Sequence, residues 1–343
     1  MQELLKIQVK LVPEILDVLE MRYNILTNIY YSQPIGRRLL ATNLKLSERV
    51  VRSEINFLKD QKLIEISNPG MTITSEGEEI LQGLKNFIRE MKEFKSLEEG
   101  IKSKLNLKDI IIVAGDIDED SSVLNELGKI TVNYIKKILQ DNIIISLTGG
   151  NTVKEVVDNF PNVQGFENIL VLPARGGIGK DIECHSNTLA GRLASKLNGN
   201  YEILHIPDNL SSNTYKALLN EEGIKEIFNN IAKSNIVIHG IGNANEMSKR
   251  RELKKAAMEK IQHLDAVGEA YGHYFDYEGK IVHSMETIGI QKNQVPSIEY
   301  MIAVAAGKAK AKAIIAVARG TENEVLVTDE ATAREIYDVL IKE

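Results

Sequence analysis

The chain of 343 residues has a single cysteine and no long apolar run. That cysteine, Cys184, excludes an internal disulfide and cannot alone form a thiolate cage for a metal ion, so we expect a small buried apolar side chain. No apolar run approaches the roughly 20 residues of a membrane helix, and the N-terminus does not resemble a signal peptide. The sequence therefore predicts a cytoplasmic protein with no metal ion, no cofactor and no membrane partner.

The composition is that of a globular protein, with 43% hydrophobic and 26% charged residues, and the length suggests two or three domains. The net charge of −6 argues against a protein that is basic throughout. Between residues 35 and 62, however, seven Lys and Arg stand against three Asp and Glu, so this stretch has a net charge of +4. A local basic region inside an acidic chain indicates a surface for nucleic acid.

The pattern of this basic region predicts a helix-turn-helix, with helices over about 13–30 and 35–42, a turn at 43–46 and a third helix from Ser47. Ser47 suits the N-cap of the third helix, and Val51, Ile55 and Leu58 form its core stripe. Two short strands, LIEI and MTIT, flank Asn68-Pro69-Gly70 and predict the wing of a winged helix. The alternative is a small helical domain with a solvated basic face. The side chains that we expect to contact DNA are Arg37, Arg49, Arg52, Ser53, Asn56 and Lys59.

Residues 78–108 predict one long amphipathic linker helix, because apolar residues recur there at steps of three and four without a proline. The stripe either pairs with a second copy of the chain or packs within its own chain, and we favour pairing. The residues expected to contribute to self-association are Leu84, Ile88, Met91 and Phe94. The predicted domains are therefore 1–77 for DNA binding, 78–108 for the linker, and 109–343 for effector binding and oligomerisation.

After residue 108, short apolar runs alternate with helical stretches, which is typical of an α/β domain with a doubly wound, mostly parallel sheet. The runs are DIIIVAG, NIIISLTGG, NILVLPARGG, YEILHIP, NIVIHGIGN, AVGEAYGHYF, AIIAVARG and EVLVTD. Ligands of such sheets bind outside the carboxyl ends of the strands, where we place Gly149, Gly176, Gly242 and Gly268.

One of these strand ends, LTGGNT at 147–152, has the composition of a phosphate-binding turn. The first amides of a helix have no internal partner and favour anions, and glycine lets the backbone approach closely. The residues that can surround a phosphate here are Thr148, Gly149, Gly150, Asn151 and Thr152. The alternative is a plain strand-to-helix turn with Asn151 or Thr152 as the N-cap.

Cations near other strand ends extend this site. Arg175 directly follows an apolar run, where its planar guanidinium can hold a phosphate, although a core salt bridge is the alternative. Arg250, Arg251 and Lys310 add charge, and Glu269 can accept from sugar hydroxyls. Singly, each of them is more often a surface residue. RGGIGKD is not a complete P-loop, and GIGNAN lacks the third glycine of a dinucleotide fingerprint.

The order of winged helix, linker helix and phosphosugar-type domain, together with LTGGNT, PARGG and HGIGNA, closely resembles the SorC family of sugar-responsive bacterial regulators. The resemblance implies an isomerase-like effector domain and release from operator DNA by a phosphorylated sugar. From the pairing of the linker helix we expect a dimer or tetramer. In the glycolytic member of the family the inducer is fructose 1,6-bisphosphate. The resemblance also adds His185, at a position where we would expect glutamine.

An active sugar-phosphate isomerase or deaminase fused to a DNA-binding domain is the second hypothesis. It needs an acid and a base beside the substrate carbon, and Asp265, Glu269 and His273 are the candidates. The DNA-binding domain favours a sensor over an enzyme.

Overall fold

The computed structural model describes residues 14–91, 94–176, 182–204, 206, 212–285 and 289–343. By its contacts the chain divides into two compact units. The first comprises residues 1–95 with 117–123, and the second comprises residues 96–116 with 124–343.

The first unit begins with three helices, α1 (Glu14–Ser32), α2 (Arg37–Asn43) and α3 (Glu48–Asp60). The Ser47 hydroxyl accepts from the Val50 amide at 3.3 Å, so it caps α3 as the sequence predicts. The residues of the core stripe are all buried, with exposures of 1% or less: Val51, Ile55 and Leu58. The helix-turn-helix is therefore confirmed.

A two-stranded hairpin follows α3, with β1 (Ile64–Ser67) paired antiparallel to β2 (Gly70–Ile73). The predicted wing is present, shifted by one residue in each strand. Helix α4 (Ser75–Met91) comes next, and the Thr74 hydroxyl accepts from the Gly77 amide at 3.1 Å in its first turn. This bond, together with the backbone bond from Glu78 to Thr74, begins α4 three residues earlier than predicted.

The predicted single linker helix is described as two helices, α4 and α5 (Phe94–Leu105), and residues 92 and 93 between them lie outside the described residues. The boundary between the two units falls after Lys95. Phe94 is fully buried inside the chain, so the expectation that it pairs with a second copy is wrong. Its stripe continues into the interior with Ile101 and Leu105, while the side chains of 88 and 91 lie outside the description.

A short segment, residues 117–123, belongs to the first unit, although in sequence it follows a strand of the second. Asn28 donates to the Asp120 carboxylate at 3.3 Å, and the Lys45 ammonium donates to the Asp118 carbonyl at 2.8 Å. Asp120 also accepts from the Ser122 amide and hydroxyl, both at 2.8 Å. Such tertiary contacts leave no periodic signal in the sequence, which is why the predicted domain bounds omit them.

The second unit contains a seven-stranded sheet, all of whose strand pairs are parallel, and a four-stranded antiparallel sheet. The strands of the unit are, in chain order, β3 (Asp109–Val113), β4 (Ile144–Leu147), β5 (Leu170–Pro173), β6 (Asn200–Tyr201), β7 (Ile236–His239), β8 (Gly242–Asn243), β9 (Gly268–Ala270), β10 (His273–Phe275), β11 (Ile281–Ser284), β12 (Tyr300–Val304) and β13 (Glu324–Asp329). The spatial orders are β3-β13-β12-β7-β4-β5-β6 and β11-β10-β9-β8.

Helices cover the sheet, as expected for a doubly wound fold. They are α6 (Ser122–Ile138), α7 (Asn151–Asn159), α8 (Ser186–Lys196), α9 (Ser212–Leu218), α10 (Glu222–Ala232), α11 (Ala244–Arg250), α12 (Lys255–His263), α13 (Ala311–Gly320) and α14 (Glu330–Ile341). Short 3-10 helices lie at Ile182–Cys184, Lys292–Ser297 and Lys308–Lys310.

Three of the predicted strands are wrong in detail. AIIAVARG is not a strand but most of helix α13, whose apolar residues are buried, and the strand of that region is β12, which the sequence analysis missed. AVGEAYGHYF forms the β9–β10 hairpin of the small sheet, so Gly268 does not end a parallel strand. YEILHIP contributes only the second residue of β6. Short, fully apolar runs do not distinguish a buried strand from a buried helix.

The strand order reverses between β4 and β7, because β5 and β6 extend the large sheet on one side while β12 and β13 extend it on the other. The Thr148 amide donates to the Ile238 carbonyl at 2.9 Å, so the turn after β4 is fixed beside the end of β7. A reversal of this kind opens a crevice at the carboxyl edge of a sheet. Among the described residues, no helix combines the length and apolar character needed to cross a bilayer.

Candidate functional site

The turn between β4 and α7 contains the two glycines that the sequence singles out. A Cβ atom on Gly149 would lie 2.5 Å from the Cys184 carbonyl oxygen, a distance that only glycine avoids. Gly150 is the N-cap of α7 with φ +125°, a conformation that L side chains rarely adopt. Neither Asn151 nor Thr152 is the N-cap, because both lie in the helix itself.

The hydrogen bonds of this turn determine which amides remain for a ligand. The Gly150 amide donates to the Cys184 carbonyl at 3.0 Å, so it is already used. The amides of Asn151 and Thr152 belong to the first turn of α7, where no helical carbonyl precedes them. Both residues line the same cavity, and the positive end of the helix dipole lies there. The turn can therefore receive an anion at the start of α7.

A buried cluster of two arginines and one glutamate lies at the next strand ends. The Glu269 Oε1 atom accepts from Arg175 Nη1 at 3.2 Å, from Arg251 Nη2 at 2.7 Å and from the Gly272 amide at 2.9 Å. Both guanidinium groups also donate to the Met285 sulfur, at 3.5 and 3.3 Å. The three charged side chains are at most 4% exposed. Arg175 thus forms the core salt bridge considered above and also lines the cavity.

The pKa of Glu269 lies below its ordinary value of 4.5. Burial alone would raise it, but the charges of Arg251 and Arg175 and the bond from the Gly272 amide lower it by more. The carboxylate is therefore ionised at neutral pH and stabilises both guanidinium groups that donate to it.

Glu269→Gln should lower the free energy of unfolding at pH 7 by about 3 to 5 kcal/mol, because it removes the carboxylate from a buried ionic cluster in which it accepts from two guanidinium groups. A group whose pKa is lowered by folding stabilises the protein above its unfolded pKa, and this contribution is lost as the pH falls through the folded value. The difference between wild type and variant should therefore shrink below about pH 4.5. Urea unfolding from pH 7 to pH 3 measures it, and a constant difference would contradict this role of the carboxylate.

One cavity of about 220 Å³ gathers the predicted effector-site residues. All eleven line it: Thr148, Gly149, Gly150, Asn151, Thr152, Arg175, His185, Arg250, Arg251, Glu269 and Lys310. They come from separate parts of the sequence, including the turns after β4 and β5, the end of α11, strand β9 and the segment before α13. His185 is the N-cap residue of α8, and Lys310 ends a 3-10 helix.

The cavity is positively charged. Among the described residues, its lining carries four cations, Arg175, Arg250, Arg251 and Lys310, against the two carboxylates Glu246 and Glu269. Arg250 is exposed, whereas the Arg175–Glu269–Arg251 cluster is buried. Low-dielectric surroundings strengthen the field of a charge, so the buried arginines contribute more to the potential in the cavity than surface cations do.

Several residues of the lining were not predicted from the sequence. They are Cys184, Ser186, Ile241, Glu246, Met247 and Tyr271, together with Gly240. Gly240 follows β7 directly, so the strand-end rule could have found it. Tyr271 occupies the two-residue turn between β9 and β10 with φ +36°, and its hydroxyl and that of Thr321 lie 2.6 Å apart. Among the described residues, no group of three His, Cys, Asp or Glu side chains could hold a metal ion.

His273 does not line the cavity. Its Nδ1 atom lies 2.8 Å from the Ser284 hydroxyl, and its ring packs edge-on against Tyr271. Burial, followed by the charge of Arg175, lowers the pKa of His273 to about 4. The imidazole is therefore neutral at pH 7.

The imidazole signals of His273 should titrate near pH 4 in an NMR experiment on the folded protein. Because folding lowers this pKa from 6.5, the unfolded chain takes up a proton first and stability should fall as the pH drops from 6.5 to 4. His273→Gln should lose that part of the pH dependence. A midpoint near 6.5 in the folded protein would contradict the buried, neutral state.

The first unit carries a separate polar surface on α3. The predicted DNA contacts are all exposed: Arg37, Arg49, Arg52, Ser53, Asn56 and Lys59. Those on α3 point away from the buried stripe, as a recognition helix requires. Arg22, by contrast, is occupied, because it donates to Glu54 at 2.7 Å and its guanidinium lies 3.6 Å from the centre of the Phe57 ring.

Comparisons with known proteins likewise separate a DNA-binding part of the chain from a sugar-binding part. A family model described as "Putative sugar-binding domain" matches residues 89–338, and one described as "CggR N-terminal DNA binding domain" matches residues 18–88. The chain is 40% identical to the central glycolytic genes regulator of Priestia megaterium, over 98% of both chains. It is 39% identical to the protein of the same name from Bacillus subtilis, over 98% of this chain and 99% of that protein.

Solved structures are similar as well. The "putative SorC family transcriptional regulator from Enterococcus faecalis" is 36% identical, with a TM-score of 0.65 over 70% of this chain and 99% of that one. The full-length sorbitol operon regulator SorC from Klebsiella pneumoniae is 20% identical, with a TM-score of 0.66 over 91% of this chain and 96% of that one. At that identity the second similarity concerns the fold alone.

Proposed function

Because the chain belongs to the SorC family of sugar-responsive transcriptional regulators, we propose that a phosphorylated sugar in the cavity, and specifically fructose 1,6-bisphosphate, releases it from operator DNA. The genes under its control would be central glycolytic genes, as the names of its relatives suggest. It would act in the cytoplasm, as a dimer or tetramer, so that two recognition helices reach successive major grooves.

The observation that carries this proposal is the convergence of eleven predicted residues on one positively charged cavity. A phosphate at the start of α7 would meet the amides of Asn151 and Thr152 and the hydroxyls of the turn. A second anionic group would be attracted by Arg175, Arg251 and Lys310.

Glu269 distinguishes a sugar phosphate from inorganic phosphate in this proposal. Its Oε1 atom takes all three donors of the buried cluster, so Oε2 is available to the cavity that the residue lines. An ionised carboxylate oxygen only accepts hydrogen bonds, and a sugar hydroxyl can donate one. The ligand should therefore carry both phosphate and hydroxyl groups.

Calorimetry with the full-length protein tests the ligand. Fructose 1,6-bisphosphate, fructose 6-phosphate, fructose and inorganic phosphate form the panel, and we expect the bisphosphate to bind at least tenfold more tightly than the others. If a monophosphate binds more tightly, the effector is a different phosphorylated sugar. If none binds, the cavity is not a phosphosugar site.

Catalysis is the second candidate function, and the geometry of the acid-base candidates speaks against it. Of Asp265, Glu269 and His273, only Glu269 lines the cavity, and it is held between two arginines. We propose that the protein binds its ligand without turnover. Incubation of the full chain with fructose 1,6-bisphosphate or glucosamine 6-phosphate, followed by NMR of the sugar, tests this, and any product formed would favour the enzyme.

A further inference from the structure

Val50 is an exposed apolar residue in the first turn of α3. Its side chain is 38% exposed, whereas that of Val51 is fully buried. On the helix surface it lies one turn from Ser53, which is exposed, and one turn from Glu54, which accepts from Arg22. An apolar side chain therefore borders the polar face that the structure presents for DNA.

Helix propensity does not favour a valine at this position. Valine is β-branched and is a weaker helix former than alanine, leucine or lysine, and an exposed site gives it no core to fill. Phe57 is equally exposed at 38%, but the Arg22 guanidinium covers its ring. Positions where a residue departs from the local preference are often functional.

The chemistry of the major groove supplies a partner for such a side chain. The edges of the base pairs there consist of hydrogen-bond donors and acceptors, except for the 5-methyl group of thymine, which apolar side chains contact. Residues near the N-terminus of a recognition helix are those that contact base edges. Since Val50 lies in the first turn of α3, we propose that it reads a thymine methyl group and so contributes to operator specificity. This inference rests on α3 being the recognition helix.

Replacement of thymine by deoxyuridine removes only the methyl group and tests the proposal. A duplex that the full-length protein selects from a random pool provides the binding site, and each thymine is replaced in turn. For wild type, we expect affinity to fall about three- to fivefold at one position in each half-site. Val50→Ala should bind the thymine duplex with this reduced affinity and be insensitive to the same replacement.

Two further variants complete the experiment. Leu39→Ala removes another exposed apolar side chain, 56% exposed on α2, and should retain the full thymine dependence. Val50→Thr has nearly the same shape and keeps one methyl group, so it should retain part of that dependence. The proposal is overturned if no thymine position loses its effect in Val50→Ala. If the Arg49→Ala, Arg52→Ala double variant also binds DNA normally, the recognition helix itself is wrongly assigned, which separates the two failures.

Discussion

Gly150→Val should bind operator DNA as wild type does and fail to respond to fructose 1,6-bisphosphate. Gly150 has φ +125°, and the space around a Cβ atom built on it is open within 4 Å. A valine would therefore place its methyl groups in the space before the first turn of α7, where the phosphate is proposed to bind. We expect ligand affinity to fall at least about a hundredfold in calorimetry, equivalent to about 3 kcal/mol.

Gly165→Val is the matched control for this variant. Gly165 also has a positive φ, +94°, and open space around its Cβ position, but it does not line the cavity. Both substitutions should cost about 1 to 3 kcal/mol of stability through backbone strain. Only Gly150→Val should lose the ligand. Equal ligand affinity in the two variants would place the phosphate elsewhere and leave LTGGNT as a plain strand-to-helix turn.

The Arg49→Ala, Arg52→Ala double variant should lose operator binding while keeping its ligand and its fold. Both side chains are exposed on the side of α3 opposite the buried stripe, so their removal leaves no cavity in the core. Each base contact that is lost should cost about 1 to 3 kcal/mol of discrimination. Each phosphate contact that is lost should lower the salt dependence of binding by about one unit of slope. Fluorescence anisotropy at several salt concentrations separates these two kinds of contact.

The Lys216→Ala, Lys225→Ala double variant is the control, because it also removes two positive charges. Both lysines are exposed on α9 and α10 of the second unit. It should leave both affinity and salt slope near wild type. If this control loses as much affinity as the arginine variant, binding depends on overall charge rather than on α3. Unchanged affinity in the arginine variant would remove α3 from the DNA surface.

The sequence predicted the winged helix well because its signals are local. Ser47, the apolar stripe of α3 and the Asn68-Pro69-Gly70 turn each act within a few residues. The errors concern segments whose secondary structure or burial depends on packing against residues that are distant in the sequence. AIIAVARG is apolar on nearly every side and is buried as helix α13, while YMIAV was overlooked although it forms the interior strand β12. The burial of Phe94 in its own chain likewise depends on tertiary packing that periodicity does not reveal.

The candidate site was more predictable than these packing details because strand ends of a parallel sheet meet at one edge. That rule brought Gly149, Arg175 and Gly242 to one cavity. It does not predict that both arginines donate to the Met285 sulfur, or that the Gly150 amide donates to the Cys184 carbonyl. Tyr271 was missed because a bulky residue with positive φ is not expected in a two-residue turn.

Operator affinity of the full-length protein, measured by anisotropy over a titration of fructose 1,6-bisphosphate, tests the central claim most directly. A ligand changes DNA affinity only through its different affinities for the two states of the protein, and a coupling of about 1 to 3 kcal/mol corresponds to a change of roughly 5- to 150-fold. We predict a decrease of this size for wild type and Gly165→Val, and no change for Gly150→Val. A saturating ligand that leaves the operator affinity of wild type unchanged would contradict the account.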